Sequence, residues 1–194
     1  MPKITIWNRK IWVSIEDDIL SEKVFEDSNI YYQEKYGDYL EHFFLLFSNE
    51  FTSVSQLNQE TVLFFTLIEI IAEYPKTEIP FEYDSNLDVY YVPKHILNEK
   101  VAQYFGIYDF HFVDTDRYSP EKDSYTYTLA HGYPVLYPQI VSTDIQGEQV
   151  TFKVAYTNPE IEGNPTTQIL LFTFEEIESN GIKYLQAISA NLTE

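Results

Sequence analysis

The chain has 194 residues, a formal net charge of -19 and no cysteine. Its acidic residues are spread over both halves, and such a field repels phosphate backbones and anionic lipids, which argues against nucleic acids and membrane surfaces as partners. The absence of cysteine excludes disulfides, thiolate nucleophiles and sulfur metal sites. Because 44% of the residues are hydrophobic, we expect a packed core and a single domain over residues 1–194.

The first part of the domain, residues 16–106, is predicted to be mainly helical. It is preceded by two short strands, Ile4 to Trp7 and Ile11 to Ile15, which the pattern pairs as a hairpin. Aromatic residues at helical spacing then predict a helix over about 38–48, with a possible extension back to 29. Gly37-Asp38 could mark the start of this helix, because an aspartate side chain can accept hydrogen bonds from the unpaired backbone amides of a first turn.

Two further helices are predicted before residue 107. The segment 57–73 is apolar except for a stripe that contains Thr66 and Glu69, which we interpret as one exposed edge. The polar segment 74–91 is expected to be an internal connection. A third helix should run from Pro93 to Gly106, because proline is tolerated in a first turn and glycine is favoured after a last one.

The second part, residues 107–194, changes to the pattern of strands. Gln146-Gly147 and Asn180-Gly181 are typical of tight hairpin turns. The predicted strands are Phe110 to Val113, Tyr125 to Leu129, Leu136 to Ile145, Gln149 to Tyr156, Gln168 to Ile177 and Ile182 to Ser189. The sequence therefore predicts an α+β fold in which N-terminal helices pack on a C-terminal antiparallel β-meander sheet.

Two segments carry a resemblance to a known group of proteins. They are Val92-Pro93-Lys94, running on to Tyr104-Phe105-Gly106-Ile107, and the closing Gly181-Ile182-Lys183-Tyr184-Leu185. Both resemble uncharacterised lipoprotein-type domains of Gram-positive gut bacteria. The resemblance implies a small extracytoplasmic module and carries over no catalytic residue. This chain lacks the lipid-bearing cysteine, so the expectation is a cell-surface or secreted protein if a leader was removed, and a cytoplasmic protein otherwise.

Four residues are the candidate binding positions. His111 alternates with two phenylalanines, so it should lie on the other face of its strand, where it could act as a base if that face lines a cavity. Tyr125, Tyr127 and Tyr133 offer flat apolar rings with polar tips, which suit the surfaces that bind proteins, peptides or glycans. His42, in contrast, is expected to be exposed beside acidic neighbours on its own helix.

The stretch VDTDRYSPEKDSY, residues 113–125, looks at first like a metal loop. If Asp114 takes the first position of a calcium loop, tyrosines occupy two ligand positions and a serine replaces the obligatory glycine. We therefore interpret it as a charged connection between strands. No Gly-rich phosphate loop, hydrolase elbow or His-Glu-x-x-His motif is present, and the sequence predicts no metal and no cofactor.

Three hypotheses of function follow. The first is a non-enzymatic extracytoplasmic module that binds a protein, peptide or glycan through its sheet or a tyrosine-rich edge. The second is an acidic cytoplasmic protein that binds and neutralises a basic protein partner. The third is a small enzyme with a pocket between helices and sheet that contains His111. Nucleic-acid partners are not expected, and no segment is long and apolar enough to span a membrane.

Overall fold

The computed structural model describes residues 4–7, 10–13, 19–46, 50–75, 77–128, 136–158, 168–179 and 181–193. These residues form an α+β fold with N-terminal helices and two four-stranded antiparallel sheets. Strands β1 (Ile4–Trp7) and β2 (Lys10–Val13) pair as the predicted N-terminal hairpin. The fold class expected from the sequence is confirmed.

Helix α1 (Ile19–Leu46) is much longer than predicted and runs through Gly37 without interruption. The expected helix start at Gly37-Asp38 is therefore wrong. A glycine inside a helix costs only about 0.5–1 kcal/mol, and Tyr36 and Leu40 on either side of it are buried. Packing of this face outweighs the local preference for an end.

Helices α2 (Gln59–Ala72) and α3 (Lys94–Phe105) lie close to their predicted bounds. The Asn58 side chain caps α2 by accepting a hydrogen bond from the Glu60 amide at 2.8 Å. Gly106 ends α3 in the left-handed region with a φ of 66°, which glycine adopts without steric cost. Among the described residues, no helix has the length and apolar character needed to cross a membrane.

The main sheet is the predicted meander of four long strands. They are β7 (Tyr137–Gln146), β8 (Gln149–Thr157), β9 (Gln168–Ser179) and β10 (Ile182–Leu192), in the order β10-β9-β8-β7. Gly147 and Gly181, with φ of 69° and 78°, lie in the turns that join the outer pairs. One face of each strand packs under the helices.

A second sheet was not expected in this form. It contains β3 (Glu82–Asp84), β4 (Val89–Pro93), β5 (Tyr118–Ser119) and β6 (Ser124–Tyr127), in the order β3-β4-β6-β5. The polar segment 74–91, predicted to be a connection, thus supplies β3 and the start of β4. Strands this short, with only Val92 buried in β3 and β4, show no clear alternation of apolar and polar residues in the sequence.

The predicted strand at Phe110 to Val113 is also wrong, since these residues form a loop. Phe110 is buried, which explains the apolar signal. The Phe112 carbonyl accepts a hydrogen bond from the Tyr125 hydroxyl at 2.8 Å. A side chain therefore satisfies a backbone group that a strand would have paired with another strand.

An aromatic cluster between α1, α2 and the meander forms the centre of the core. The Phe43 ring lies 5.5 Å from Phe65, 5.2 Å from Phe172 and 5.2 Å from Phe174, with centroids and ring tilts typical of edge contacts. Tyr156 reaches the same layer, and its hydroxyl donates to the Leu40 carbonyl at 3.0 Å. The core is therefore solidly filled where helices and sheet meet.

The free edge of the meander, strand β7, is covered by amide side chains of α1. Gln33 donates to the Pro138 carbonyl at 3.0 Å and accepts from the Ile140 amide at 2.7 Å, as a neighbouring strand would. Asn29 donates to the Val141 carbonyl at 3.2 Å. Because an unpaired edge invites pairing with other chains, these amides satisfy the edge and block such pairing.

Replacement of Gln33 by alanine tests this role. We expect Gln33→Ala to lower the free energy of unfolding by about 1 kcal/mol through lost hydrogen bonds, and to increase self-association through the opened edge. Denaturant unfolding and light scattering measure the two effects. Glu34→Ala, at the exposed neighbouring position, is the control and should change stability by no more than about 0.5 kcal/mol. Equal stability and equal self-association in both variants would contradict the edge role.

Candidate functional site

The structure describes three of the four predicted binding residues. His111 is exposed in the loop that follows α3. Tyr125 and Tyr127 belong to β6 and are buried, with 0% and 7% of their surface accessible. Tyr133 lies outside the described residues.

The positions of these residues limit what they can do. Tyr125 donates its hydroxyl to the Phe112 carbonyl, and the Tyr127 ring packs 6.3 Å from the Phe64 ring of α2. Both tyrosines therefore join the second sheet to the core and offer no open ring face. Because His111 is exposed, the described residues do not form an enclosed pocket around it.

The acidic loop, residues 113–123, was predicted to connect a strand at Phe110 to the strand at Tyr125, but the first of these strands is not formed and the loop instead follows α3. It leads into the β5–β6 hairpin, whose turn is closed by the Tyr118 hydroxyl donating to Asp123 at 2.7 Å. An open cleft of about 550 Å³ lies between this loop and the start of α2, lined by Glu60, Phe112, Val113, Asp114, Thr115, Asp116 and Arg117. Across the part of the chain that the structure describes, no three histidine or carboxylate side chains are grouped to hold a metal ion.

The β3–β4 hairpin presents apolar side chains at its tip. Tyr83 is 47% and Leu87 is 64% exposed. The Tyr83 ring lies 4.8 Å from the Tyr90 ring, and its hydroxyl donates to Asp88 at 2.6 Å. The Asp84 carboxylate accepts from the Asn86 amide at 2.8 Å. The tip is thus a rigid turn with one aromatic and one aliphatic side chain held outward.

Three basic residues in or next to the second sheet are held by carboxylate and aromatic side chains. Lys122 forms an ion pair with Glu82 and lies 4.2 Å from the centroid of the Tyr91 ring. Arg117 lies over the Phe64 ring at 5.0 Å, and Lys94 over the Tyr118 ring at 5.5 Å. These contacts keep the cationic groups close to the surface of the sheet, while acidic side chains extend from its loops.

Several of those acidic side chains have no basic partner among the described residues. Asp88, Asp114, Asp116 and Glu121 are exposed. Within the described ranges, no lysine or arginine lies within ion-pair distance of them or of Asp84. The hairpin tip and the acidic loop belong to the same sheet and both carry an excess of carboxylates. We call this part of the molecule the acidic sheet: β3 to β6 with residues 84–88 and 113–123.

A second polar cluster lies where the three helices meet, and sequence reasoning missed it. His42 was expected to be exposed, and Glu69 to lie on an exposed stripe with Thr66. Instead the His42 Nδ1 and Glu69 Oε1 atoms are 2.6 Å apart, with only 25% and 12% of the two side chains accessible. Thr66 is fully buried and donates to the Val62 carbonyl at 2.8 Å. On this polar stripe of α2, Glu69 contacts α1 and Thr66 is buried, and the helical period alone indicates neither arrangement.

Glu73 extends this cluster to α3. It forms an ion pair with Lys100 and accepts a hydrogen bond from the Tyr104 hydroxyl at 3.4 Å. Burial raises the pKa of Tyr104, and the nearby carboxylates of Glu69 and Glu73 raise it further. The tyrosine is therefore a neutral hydrogen-bond donor, and it is not activated as a nucleophile.

A third polar cluster joins α1 to β9. Glu176 accepts from Lys183 at 2.8 Å, from Lys35 at 3.5 Å and from the Tyr36 hydroxyl at 3.4 Å. Burial raises the pKa of Glu176, but the two lysines outweigh that effect and the net pKa is lowered. The carboxylate is therefore charged over a wide pH range and fixes α1 on the sheet.

Comparisons with known proteins add no relative from which a site could be transferred. No family model, curated protein or solved structure matches this chain.

The lowered pKa of Glu176 gives a pH-dependent prediction. A carboxyl group whose pKa is lower in the folded protein contributes stability above its ordinary pKa, and this contribution is lost as the pH falls through the folded value. Glu176→Gln should therefore reduce the free energy of unfolding by about 1 kcal/mol at neutral pH, and by less at strongly acidic pH. Denaturant titrations at both pH values measure this, with Glu175→Gln as the neighbouring control. A loss that does not vary with pH would contradict the assignment.

Proposed function

We propose that this protein is a non-enzymatic interaction module whose acidic sheet binds a basic protein or peptide. The observation that carries the proposal is the combination, at one hairpin, of exposed apolar side chains with carboxylates that form no ion pair with a described lysine or arginine. Leu87 and Tyr83 project beside Asp84 and Asp88. Protein interfaces typically place apolar and aromatic anchors at their centre and polar groups at the rim.

The rigidity of the hairpin tip supports a binding role. Binding a flexible loop costs conformational entropy, which a preorganised turn avoids. The Asp84 side chain holds the turn through the Asn86 amide, and Asp88 holds the Tyr83 hydroxyl. Asp88 has a φ of 55°, a conformation that aspartate and asparagine tolerate better than most residues. The anchors are therefore presented in a fixed arrangement before a partner arrives.

The charge of the acidic sheet supports a basic partner. Lys122 pairs with Glu82, and Arg117 and Lys94 lie over aromatic rings, so among the described residues none of the three forms an ion pair with Asp88 or with the carboxylates of the acidic loop. Complementary charge raises association rates and suppresses wrong partners. A partner rich in lysine and arginine that also carries a leucine or an aromatic residue fits both features of the surface.

A synthetic peptide tests the proposal, because it can carry the two features that the surface should recognise. The probe is a short fluorescent peptide of alternating leucine and lysine or arginine, and its counterpart has every basic residue replaced by glutamate. We expect the basic peptide alone to bind in an anisotropy titration, and binding to weaken as salt is raised. Equal binding of the acidic counterpart, or binding that is insensitive to salt, would contradict the proposal.

Two variants locate the binding on the acidic sheet. Leu87→Ala should weaken binding of the basic peptide about tenfold, which corresponds to about 1.4 kcal/mol for loss of an apolar anchor. Asp84→Asn with Asp88→Asn keeps the turn geometry and should chiefly slow association. The matched control is Ile182→Ala, which removes another exposed aliphatic side chain from the β9–β10 hairpin and should leave binding unchanged. If the control weakens binding as much as Leu87→Ala, the surface has been misplaced.

A further inference from the structure

The cluster between the three helices contains one pair that bears no relation to the proposed binding surface. His42 of α1 and Glu69 of α2 are joined by a contact of 2.6 Å and are largely shielded from solvent. We propose that this pair is a pH-responsive joint that holds α1 against α2 more firmly at mildly acidic pH than at alkaline pH. The proposal goes beyond the binding function and does not depend on it.

The groups around the pair favour a protonated imidazole. On α1, Asp38 and Glu41 lie near His42, and Glu73 of α2 lies near Glu69. All three are acidic, so the field at the imidazole is negative. A negative field stabilises the imidazolium form of histidine.

The cations of α3 do not neutralise Glu69. Lys100 of α3 pairs with Glu73, as does the hydroxyl of Tyr104. Tyr39 lies beneath the cluster, and its burial raises its pKa well above the usual value, so it stays neutral. Among the described residues, His42 is therefore the group that can supply positive charge to Glu69.

The protonation of the pair follows from this geometry. Burial lowers the pKa of His42, but the hydrogen bond and charge of Glu69, with Glu41 and Asp38, outweigh that effect and the net pKa is raised. Burial also raises the pKa of Glu69, against the opposing influence of His42. Both groups thus bind a proton more tightly in the folded protein than in the unfolded chain.

The sign of the pH dependence is the same for both groups. A histidine whose pKa is raised on folding contributes stability that is fully present below its ordinary pKa and is lost as the pH rises through the folded value. A glutamate whose pKa is raised on folding also contributes stability that is lost as the pH rises, but over the lower pH range in which the glutamate itself titrates. The joint therefore weakens on the alkaline side, where a shielded carboxylate remains beside a neutral imidazole.

The elements that α1 and α2 contact are the ones affected when the His42–Glu69 pair weakens. Helix α1 packs on the meander through Phe43. Helix α2 carries the second sheet through the contact between Phe64 and Tyr127. Helix α3 also contacts the meander directly, through the hydrogen bond from Gln186 to the Ala102 carbonyl. The protonation of the pair therefore adjusts how firmly α1 and α2 are joined.

Titration of the imidazole by NMR in the intact wild-type protein is the first test. His42 is assigned by the signal that disappears in His42→Gln. We expect it to titrate above the ordinary histidine value of about 6.5, and Glu69→Gln to shift it downward. A titration at or below the ordinary value, or one that Glu69→Gln leaves unchanged, overturns the proposal. The wild-type titration does not depend on whether a variant folds.

The second test measures the joint as stability. Glutamine in His42→Gln keeps a donor for Glu69 but cannot be protonated. The unfolding equilibrium constant of this variant should exceed that of the wild type at mildly acidic pH. The ratio should fall towards alkaline pH, by up to tenfold for each unit by which folding raises the pKa of His42. His111→Gln, which removes an exposed histidine, should show no such trend. A ratio for His42→Gln that is constant with pH, or an equal trend in both variants, overturns the proposal.

Discussion

The rest of the structure depends on the packing of α1 across the meander. Phe43 contacts Phe172 and Phe174 of β9 and, on its other side, Phe65 of α2. One ring thus connects the long helix, the sheet and the second helix in a single layer. Because interiors are close-packed, this contact helps to position α2, while Gln186 of β10 holds α3 through hydrogen bonds to the Ala102 and Gln103 carbonyls. The second sheet, joined to α2 through Tyr127, is positioned indirectly by the same layer.

The net charge of -19 imposes a second constraint, the mutual repulsion of the carboxylates. The few basic residues offset this repulsion at some places in the fold and not at others. Lys35 and Lys183 converge on Glu176 between α1 and the meander, and Lys100 meets Glu73 between α2 and α3. Scarce cations are thus placed at junctions between elements, where they stabilise the fold. Several carboxylates in the loops of the acidic sheet form no ion pair with a described cation, and this is the physical basis for a basic partner.

The candidate sites show which features residue patterns predict and which they do not. The acidic loop leads into the strand that contains Tyr125, as predicted, but it follows α3 and not a strand at Phe110. Tyr125 and Tyr127 were correctly placed on a strand, but the strand buries their rings. Glu69 and His42 were both interpreted as exposed, since each lies among polar neighbours on its own helix. Their pairing joins residues from two helices, and no period within one helix contains that information.

Local chemistry in the sequence determined the elements whose ends are marked by glycine, proline or a change of period. Helix α3 begins after Pro93 and ends at Gly106, and the meander turns at Gly147 and Gly181, because backbone constraints at these residues act without help from distant contacts. Only the tertiary structure decided that α1 continues through Gly37, that 82–93 pairs as strands, and that His42 faces Glu69. Each of these depends on which surfaces meet, and the free energy of packing there exceeds the small local preferences that a sequence displays.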